Sequence, residues 1–458
     1  MMKNSILEKL PINFPSVHCI GIGGVGVSAI AELLLDCNCK VTGSDTEFNS
    51  VCQYLTTRGA VIAPAGHREE NLPAGECGGV IMTAAASLDN PEAVAMLRRG
   101  VMLWKRGEFL GELCRAYERP VMIAGSHGKS STTAMLNWIL TQCGKNPGLL
   151  LGAHYNGSMR NAAAGNGDIL VAEADESDGT VGLLSGELAL ITNVDGDHAW
   201  NDTEKRAQYA AFQQFARSFR KTIYPADAPG SELFDKMDNC QALSKEKIAE
   251  YDRMLPDTFL GYERKNAALA LAAAEYLQID LKSAAAALQS YPGIQRRQNE
   301  LYCSPDKTVV VAEDYAHHPT ELAASLEVLL QRYPGRQLDI FFQPHRYQRL
   351  RHYFHEFTTI LSDKKLRCWI LPVFSAWENA PIDALENSDL AAAINRAGGD
   401  AKAVNGDFCS QAGVLVKTVL ENSQQHLIAL IGAGDICYLA PELIKALQAE
   451  SKKAREIL

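Results

Sequence analysis

The residues best suited to chemistry begin at Gly125-Ser126-His127-Gly128-Lys129-Ser130-Ser131, placed behind the apolar run 121–124 and ahead of a helical pattern reaching residue 140. A buried strand, a two-glycine turn and a helix start aim backbone N–H groups at one point, which suits phosphate. Lys129 adds a mobile cation for the outer phosphates, and the Ser130 hydroxyl is a ligand for Mg²⁺. The full P-loop spacing would require glycine where Ile123 stands, so this is a shortened form. A glycine turn before a helix also serves as a plain tight connection, and the surroundings must decide.

Those surroundings are acidic. A strand over 169–172 runs into Glu173-Ala174-Asp175-Glu176-Ser177-Asp178, and another over 189–194 runs into Asp195-Gly196-Asp197-His198. In a parallel α/β sheet such strand ends share one edge, where ligands bind. Carboxylates beside phosphates are hard oxygen donors for Mg²⁺. They could also only cap the helices that follow, but four acids within Glu173–Asp178 exceed what capping uses.

The same strand–loop–helix grammar appears on both sides. A strand over 17–22 leads into Gly21-Ile22-Gly23-Gly24-Val25-Gly26 and a helix over 28–35, and the next strand, 40–44, ends at Asp45. This is the dinucleotide-type glycine turn with an acid one strand later, though it also serves as a generic βαβ start. After Tyr291-Pro292-Gly293, strands over 308–312, 338–342, 368–373 and 427–431 alternate with helices. Three of them lead into Glu313-Asp314-Tyr315-Ala316-His317-His318, into His345-Arg346-Tyr347-Gln348-Arg349, and into Gly432-Ala433-Gly434-Asp435. Histidine and arginine at strand ends suit a carboxylate- or phosphate-binding edge, or a plain solvated loop.

The elements needed to position these residues amount to an α/β protein of three domains, over 1–117, 118–294 and 295–458. The length of 458 residues exceeds one ordinary core. The 203–219 segment reads as helix, 225–256 as polar and irregular around Pro229-Gly230, and 266–277 and 283–290 as Ala-rich helices. A net charge of −10 without a long basic run argues against nucleic-acid or anionic-membrane binding. Twelve scattered cysteines form no CxxC pair, which points to reduced thiols rather than zinc or a redox dithiol. With no leader-like start and no bilayer-length apolar run, the expected location is the cytoplasm.

Taken together and in this order, the segments 21–26 with 43–45, 125–130, 173–178, 192–198, 314–321, 342–347 and 432–435 resemble the Mur ligase family. The match covers nearly all of the three expected domains. The Glu173–Asp178 and Asp314–Glu321 stretches are more similar to its alanine-adding branch than to the branch that recycles a ready-made tripeptide. A non-catalytic UDP-sugar binder is a further alternative.

The resemblance implies a Rossmann-like first domain, a P-loop-type ATPase centre and a Rossmann-like third domain. It implies ATP and Mg²⁺, with UDP-N-acetylmuramate and L-alanine as substrates, in peptidoglycan precursor synthesis by a monomer or homodimer. By the same resemblance Gly125 through Ser131 hold the phosphates, with Lys129 on the outer two. Ser130, Glu173 and His198 bind the metal, Asn266 contacts the nucleotide, and Arg297 and Asp314 close the third domain over ATP. Gly23, Gly24, Val25, Gly26 and Asp45 hold the UDP-sugar, while His318, Arg346 and Arg349 place the amino acid. Around Asn266 the family's pattern of small and polar residues is replaced by Glu263, Lys265 and Leu269.

Overall fold

In the computed structural model, residues 2–12, 15–176, 179–197, 199–376, 378–420 and 425–457 are described. His198, one of the expected metal ligands, lies outside them, as do Ser177 and Asp178. The chain divides into two compact units, Met1–Ile294 and Gln295–Leu458.

The first unit contains two sheets. The first is parallel, in the order β3-β2-β1-β4-β5, from β1 (Ser16–Ile20), β2 (Lys40–Ser44), β3 (Val61–Ile62), β4 (Gly79–Met82) and β5 (Leu103–Lys105). The second comprises β6 (Arg119–Ala124), β7 (Gly148–Leu150), β8 (Ala162–Ala163), β9 (Ile169–Glu173), β10 (Gly186–Ile191), β11 (Phe219–Pro225) and β12 (Cys240–Leu243), ordered β12-β11-β10-β6-β9-β7-β8. Only β8 in this sheet is antiparallel to its neighbour. Continuous apolar runs such as Val121–Ala124 fit strands covered on both faces. Met122 and Ala124 join the core with Phe212 and Phe215, while Val121 and Ile123 pack on the other side with Leu136 and Ala270.

One apolar cluster runs unbroken from Val17, Val41 and Ile81 of the first sheet to Met122 of the second and Phe212 of the helix Asp202–Arg217 that covers it. A buried acidic stripe on the helix Val25–Asp36 reinforces that union. Glu32 is fully buried and accepts hydrogen bonds from Tyr54 (2.6 Å), from Arg58 (2.6 Å) and from the backbone N–H groups of Asn161 and Ala162 (both 3.2 Å). Asp36 accepts from Arg58 (2.8 Å) and Ala164 N (3.2 Å). The exposed rim of edge strand β8 is thereby covered by side chains of the first domain.

The second unit is a six-stranded sheet, ordered β13-β14-β18-β15-β16-β17, from β13 (Asn299–Cys303), β14 (Val309–Asp314), β15 (Gln337–Phe342), β16 (Leu366–Ile370), β17 (Ala401–Ala403) and β18 (His426–Ile431). β13 is antiparallel and the rest are parallel.

Two sequence expectations are corrected. The helix expected over 203–219 is Asp202–Arg217, and Phe219 opens β11 instead. The segment expected to be irregular, 225–256, contains β12 and the helix Lys245–Asp252 capped by Ser244. Both were hidden for one reason: each is a surface element burying a single side chain, Leu243 or Tyr251, so neither carries an apolar period.

Because four hydrogen-bond donors converge on Glu32, Glu32→Ala strands buried donors and is expected to cost about 3 kcal/mol of stability in urea unfolding. A loss below about 1 kcal/mol would show that the two sheets do not depend on this stripe.

Candidate active site

Strand register brings the central loops together. Ala124 pairs with Ile191 and Ile123 with Glu173, so β6, β9 and β10 end at one level. The loop after β6 is clamped by the loop after β10. Ser126 N donates to Asn193 O (3.0 Å), His127 N to Asn193 Oδ1 (3.1 Å), and Asn193 Nδ2 to His127 O (3.0 Å). His127 Nε2 lies 2.6 Å from Asp195 Oδ2. Gly125 and Gly128 have φ of +133° and +85°, and a Cβ at either would fall 2.0 Å from Thr192 Oγ1 or 2.5 Å from Asn266 Oδ1. Glycine is therefore needed at both positions for conformation and for space.

The helix Lys129–Gln142 starts directly from Gly128, so its unpaired first-turn N–H groups open into this loop. Ser131 is buried in that first turn. Lys129 Nζ donates to Gly125 O (2.6 Å) and to both oxygens of Glu176 (2.9 and 3.1 Å). Burial works against the ammonium, but the carboxylates of Glu176, Asp175 and Glu173 outweigh it and hold Lys129 above its ordinary pKa. Burial pushes the Glu176 carboxyl up to about 7, with Lys129 opposing. Ser130 Oγ donates to Glu173 Oε2 (2.9 Å), and Glu173 Oε1 accepts from Gly152 N (2.6 Å). Asn266 Nδ2, beside Gly128, is buried without a hydrogen-bond partner among the described residues, an orphan donor at this loop.

Among the replaced positions near Asn266, Leu269 is buried in the core, Lys265 is exposed, and Glu263 accepts from Leu260 N (3.4 Å). They belong to the helix Tyr262–Tyr276, which packs against the helix Lys129–Gln142.

In the first sheet the glycine turn is closed on itself. Gly21 N and Ile22 N donate to Ser44 O (2.9 and 3.0 Å), and Gly24 N donates to Gly21 O (3.2 Å). Asp45 Oδ2 accepts from Gly23 N (2.8 Å), so its carboxylate shapes the turn directly. Val25 and Gly26 open the helix Val25–Asp36. A Cβ at Gly26 would lie 2.5 Å from the Arg106 side chain, and Arg106 Nη2 stands 3.8 Å from Asp175. Arg106 and Glu176 were missed in the sequence: one is a lone arginine at a helix start, the other one acid among four, and only the fold singles them out.

In the second unit Asp314 is buried and accepts from Ala316 N (2.9 Å), Gln298 N (3.3 Å) and Gln298 Nε2 (2.5 Å). Arg297 lies over the Tyr315 ring, 5.1 Å from its centroid, and 3.5 Å from Glu321. His318 caps the helix Pro319–Arg332, its Nδ1 accepting from Thr320 N (3.3 Å). Arg346, at φ +71°, donates from Nε to Glu378 (2.6 Å). Arg349 is 1 % exposed, with Nη1 3.1 Å from His345 Nδ1. These groups follow parallel strands ending together, as Asp314 and Phe342 both pair with Ile431.

The sequence pattern described as "Mur ligase family, catalytic domain" matches residues 16–118. A UDP-N-acetylmuramate–L-alanine ligase of Xanthomonas oryzae pv. oryzae is 33% identical over 463 aligned residues, covering 94% of this chain and 95% of that protein. The chain belongs to the Mur ligase family. A namesake from Xanthomonas campestris pv. campestris is 32% identical with the same coverage. The fold is shared with the crystal structure of UDP-N-acetylmuramate-alanine ligase MurC from Thermotoga maritima, at TM-score 0.77 and 24% identity over 95% of this chain and 99% of that one. It is also shared with a murein peptide ligase from Psychrobacter arcticus, at TM-score 0.64 and 21% identity over 94% and 98%.

Since a side chain at position 128 collides with Asn266 and strains the turn, Gly128→Ala is expected to weaken ATP binding at least about tenfold. Titration with a non-hydrolysable ATP analogue checks this. Wild-type affinity would show that the turn does not need its left-handed residue.

Proposed function

We propose that this chain is an ATP-dependent ligase that joins L-alanine to the carboxylate of UDP-N-acetylmuramate in peptidoglycan precursor synthesis. Full-length relatives named for that reaction support the reading, and those at 32–33% favour alanine addition over tripeptide recycling. The observation that carries it is the intact set at one sheet edge: Lys129 on the Gly125 turn and Ser130 against Glu173.

A carboxylate is a poor acyl donor, because its leaving group would be oxide. Transfer of the ATP γ-phosphoryl group to a carboxylate oxygen gives an acyl phosphate and ADP. The alanine amine then attacks the carbonyl carbon, and the C–O bond to phosphate breaks as the amide forms. Negative charge grows first on phosphoryl oxygens and then on a tetrahedral centre, so cations fixed in advance lower both barriers.

Ser126 N and His127 N are held by Asn193, so the phosphates sit at the helix start, on the N–H groups of Gly128–Ser131, with Lys129 exchanging Glu176 for the outer phosphates. The exchange keeps the ammonium paired throughout. Ser130 and Glu173 are the hydroxyl and carboxylate donors suited to Mg²⁺, with His198 as the third expected ligand. When bound, Mg²⁺ neutralises charge on the phosphoryl oxygens. Asn266 Nδ2 supplies a donor to the nucleotide. Gly23–Gly26 seat the diphosphate of the UDP-sugar at a helix N-terminus, with Arg106 as the counter-cation and Asp45 holding the turn in shape. Arg297 and Asp314 act in nucleotide closure, and His318, Arg346 and Arg349 in amino-acid placement. No helix among the described residues is long and apolar enough to cross a membrane, and we assign the enzyme to the cytoplasm, where both nucleotides are available.

Phosphate release measured with each of the three substrates omitted in turn tests the reaction. Release only when all three are present is expected, and tight UDP-sugar binding with no release would instead identify a non-catalytic binder. Lys129→Ala is expected to lower turnover by about 10³-fold or more while UDP-sugar binding stays near wild type. Arg106→Ala should do the reverse, raising KM for the UDP-sugar about tenfold and leaving KM for ATP within about twofold. Loss of both affinities in either variant would refute this division of labour.

A further inference from the structure

In the second unit two neighbouring loops each hold a non-glycine residue in a left-handed backbone conformation. The strands β15 and β16 end at one level, Phe342 pairing with Ile370, and the loops leave from there. In the first loop Arg346 has φ +71° and ψ +133°, a region that residues with a Cβ rarely adopt. In the second, Ala376 stands at φ +54°. Such conformations cost free energy and persist only where their surroundings impose them.

The surroundings that impose them are the two loops themselves. His345 and Phe374 form an isolated parallel bridge, and their rings stack with centroids 5.5 Å apart. Arg346 N donates to Phe374 O (2.8 Å), and Phe374 N donates to Pro344 O (2.9 Å). Past Ala376 the chain turns back, Glu378 N donating to Ser375 O (2.9 Å). That turn delivers the Glu378 carboxylate to the first loop. Its Oε1 accepts from Arg346 Nε (2.6 Å) and its Oε2 from Gln348 N (3.2 Å). The two side chains are only 12% and 15% exposed, so the pair is largely shielded from water.

Where the carboxylate meets the guanidinium decides its role. Arginine presents five donors in a rigid plane, with Nε on its side edge and two Nη groups at its forked end. A glutamate standing in for a ligand would put both oxygens on the fork. Glu378 instead commits one oxygen to a backbone N–H and gives the other to Nε. A carboxylate anchored in that way fixes the plane of the guanidinium, and the fork is the edge that grips a second carboxylate.

We infer that Glu378 is a positioning residue for the amino-acid substrate, setting the angle at which Arg346 meets the alanine carboxylate. Arg346 then serves two carboxylates at once, one from the chain and one from the substrate. A lysine ammonium, with no planar fork, could not hold both in fixed directions. This rests on the reading that Arg346 places the amino acid.

Steady-state kinetics of the full chain, with each of the three substrates varied in turn, test it. Glu378→Ala is expected to raise KM for alanine about tenfold and to leave kcat and the other two KM values within about twofold. Glu378→Gln keeps an acceptor for Nε and should bring KM for alanine back to within about threefold of wild type. Arg346→Ala should raise the same KM at least about tenfold. Adding Glu378→Ala to it should change that KM by no more than about twofold, since the glutamate acts through the arginine. The inference is overturned by an unchanged or lowered KM for alanine in Glu378→Ala, or by equal rises for all three substrates. A glutamine variant as impaired as the alanine one, or additive effects in the double variant, overturns it too. A wild-type KM for alanine in Arg346→Ala would instead refute the amino-acid reading beneath it.

Discussion

Everything in the central site depends on how closely two loops approach at the ends of β6 and β10. Thr192 and Asn193 come so near to Gly125 that a Cβ there would overlap the Thr192 hydroxyl. At that separation Asn193 makes three hydrogen bonds with Ser126 and His127, using its carbonyl and both ends of its amide. The Gly125–Gly128 loop is thereby held from outside through the N–H groups of Ser126 and His127, and the first-turn N–H groups at Lys129–Ser131 remain directed into the turn. A loop that spent those donors on holding itself together could not also cradle an anion. Gly128 continues the logic one residue before the helix, where left-handed backbone turns the chain so that Lys129 folds back over Gly125.

The first domain solves the same problem differently. Its glycine turn is braced by Ser44 O and by the Asp45 carboxylate on Gly23 N, so an acid is built into the loop. The positive end of one helix and the nearby Arg106 side chain must offset that charge. Arg106 is supplied by the helix Arg106–Ala116 and also approaches Asp175, so it touches the surroundings of both loops. The Glu32–Asp36 stripe then matters for chemistry as well as stability. Apolar contact alone would let the two sheets slide, whereas directional bonds to Asn161, Ala162 and Ala164 fix their spacing.

Much of this was legible in the sequence, because glycine turns and strand-end acids announce themselves locally. The parallel sheets, the loop at Gly125–Gly128 and the glycine turn at Gly21–Gly26 follow from short apolar runs bounded by glycine. What stayed hidden depends on tertiary neighbours. β12 and the helix Lys245–Asp252 carry too little buried surface to leave a period. Asp45 was expected to hold ligand, and nothing in its spacing reveals that Gly23 N takes one of its oxygens. Arg346 and Arg349 look alike in sequence, yet one is paired with Glu378 near the surface and the other is 1 % exposed beside His345. A buried arginine so placed is first a structural group, holding the 343–349 loop in shape from below.

The two nucleotide-type loops also divide the demands of the reaction by charge mobility. Lys129 is a flexible point charge balanced by Glu176, and it can follow a phosphoryl group as bonds change while remaining paired. At the glycine turn of the first domain the cation beside Gly26 is Arg106, whose side chain packs along that glycine and carries a planar guanidinium. A ligase must hold the diphosphate of one nucleotide still while it rearranges the phosphates of another. A rigid fork suits the first task and a swinging ammonium the second. Exchanging the two residues would keep the net charge and change both local geometries, which is why composition and charge say so little about this enzyme and local geometry says so much.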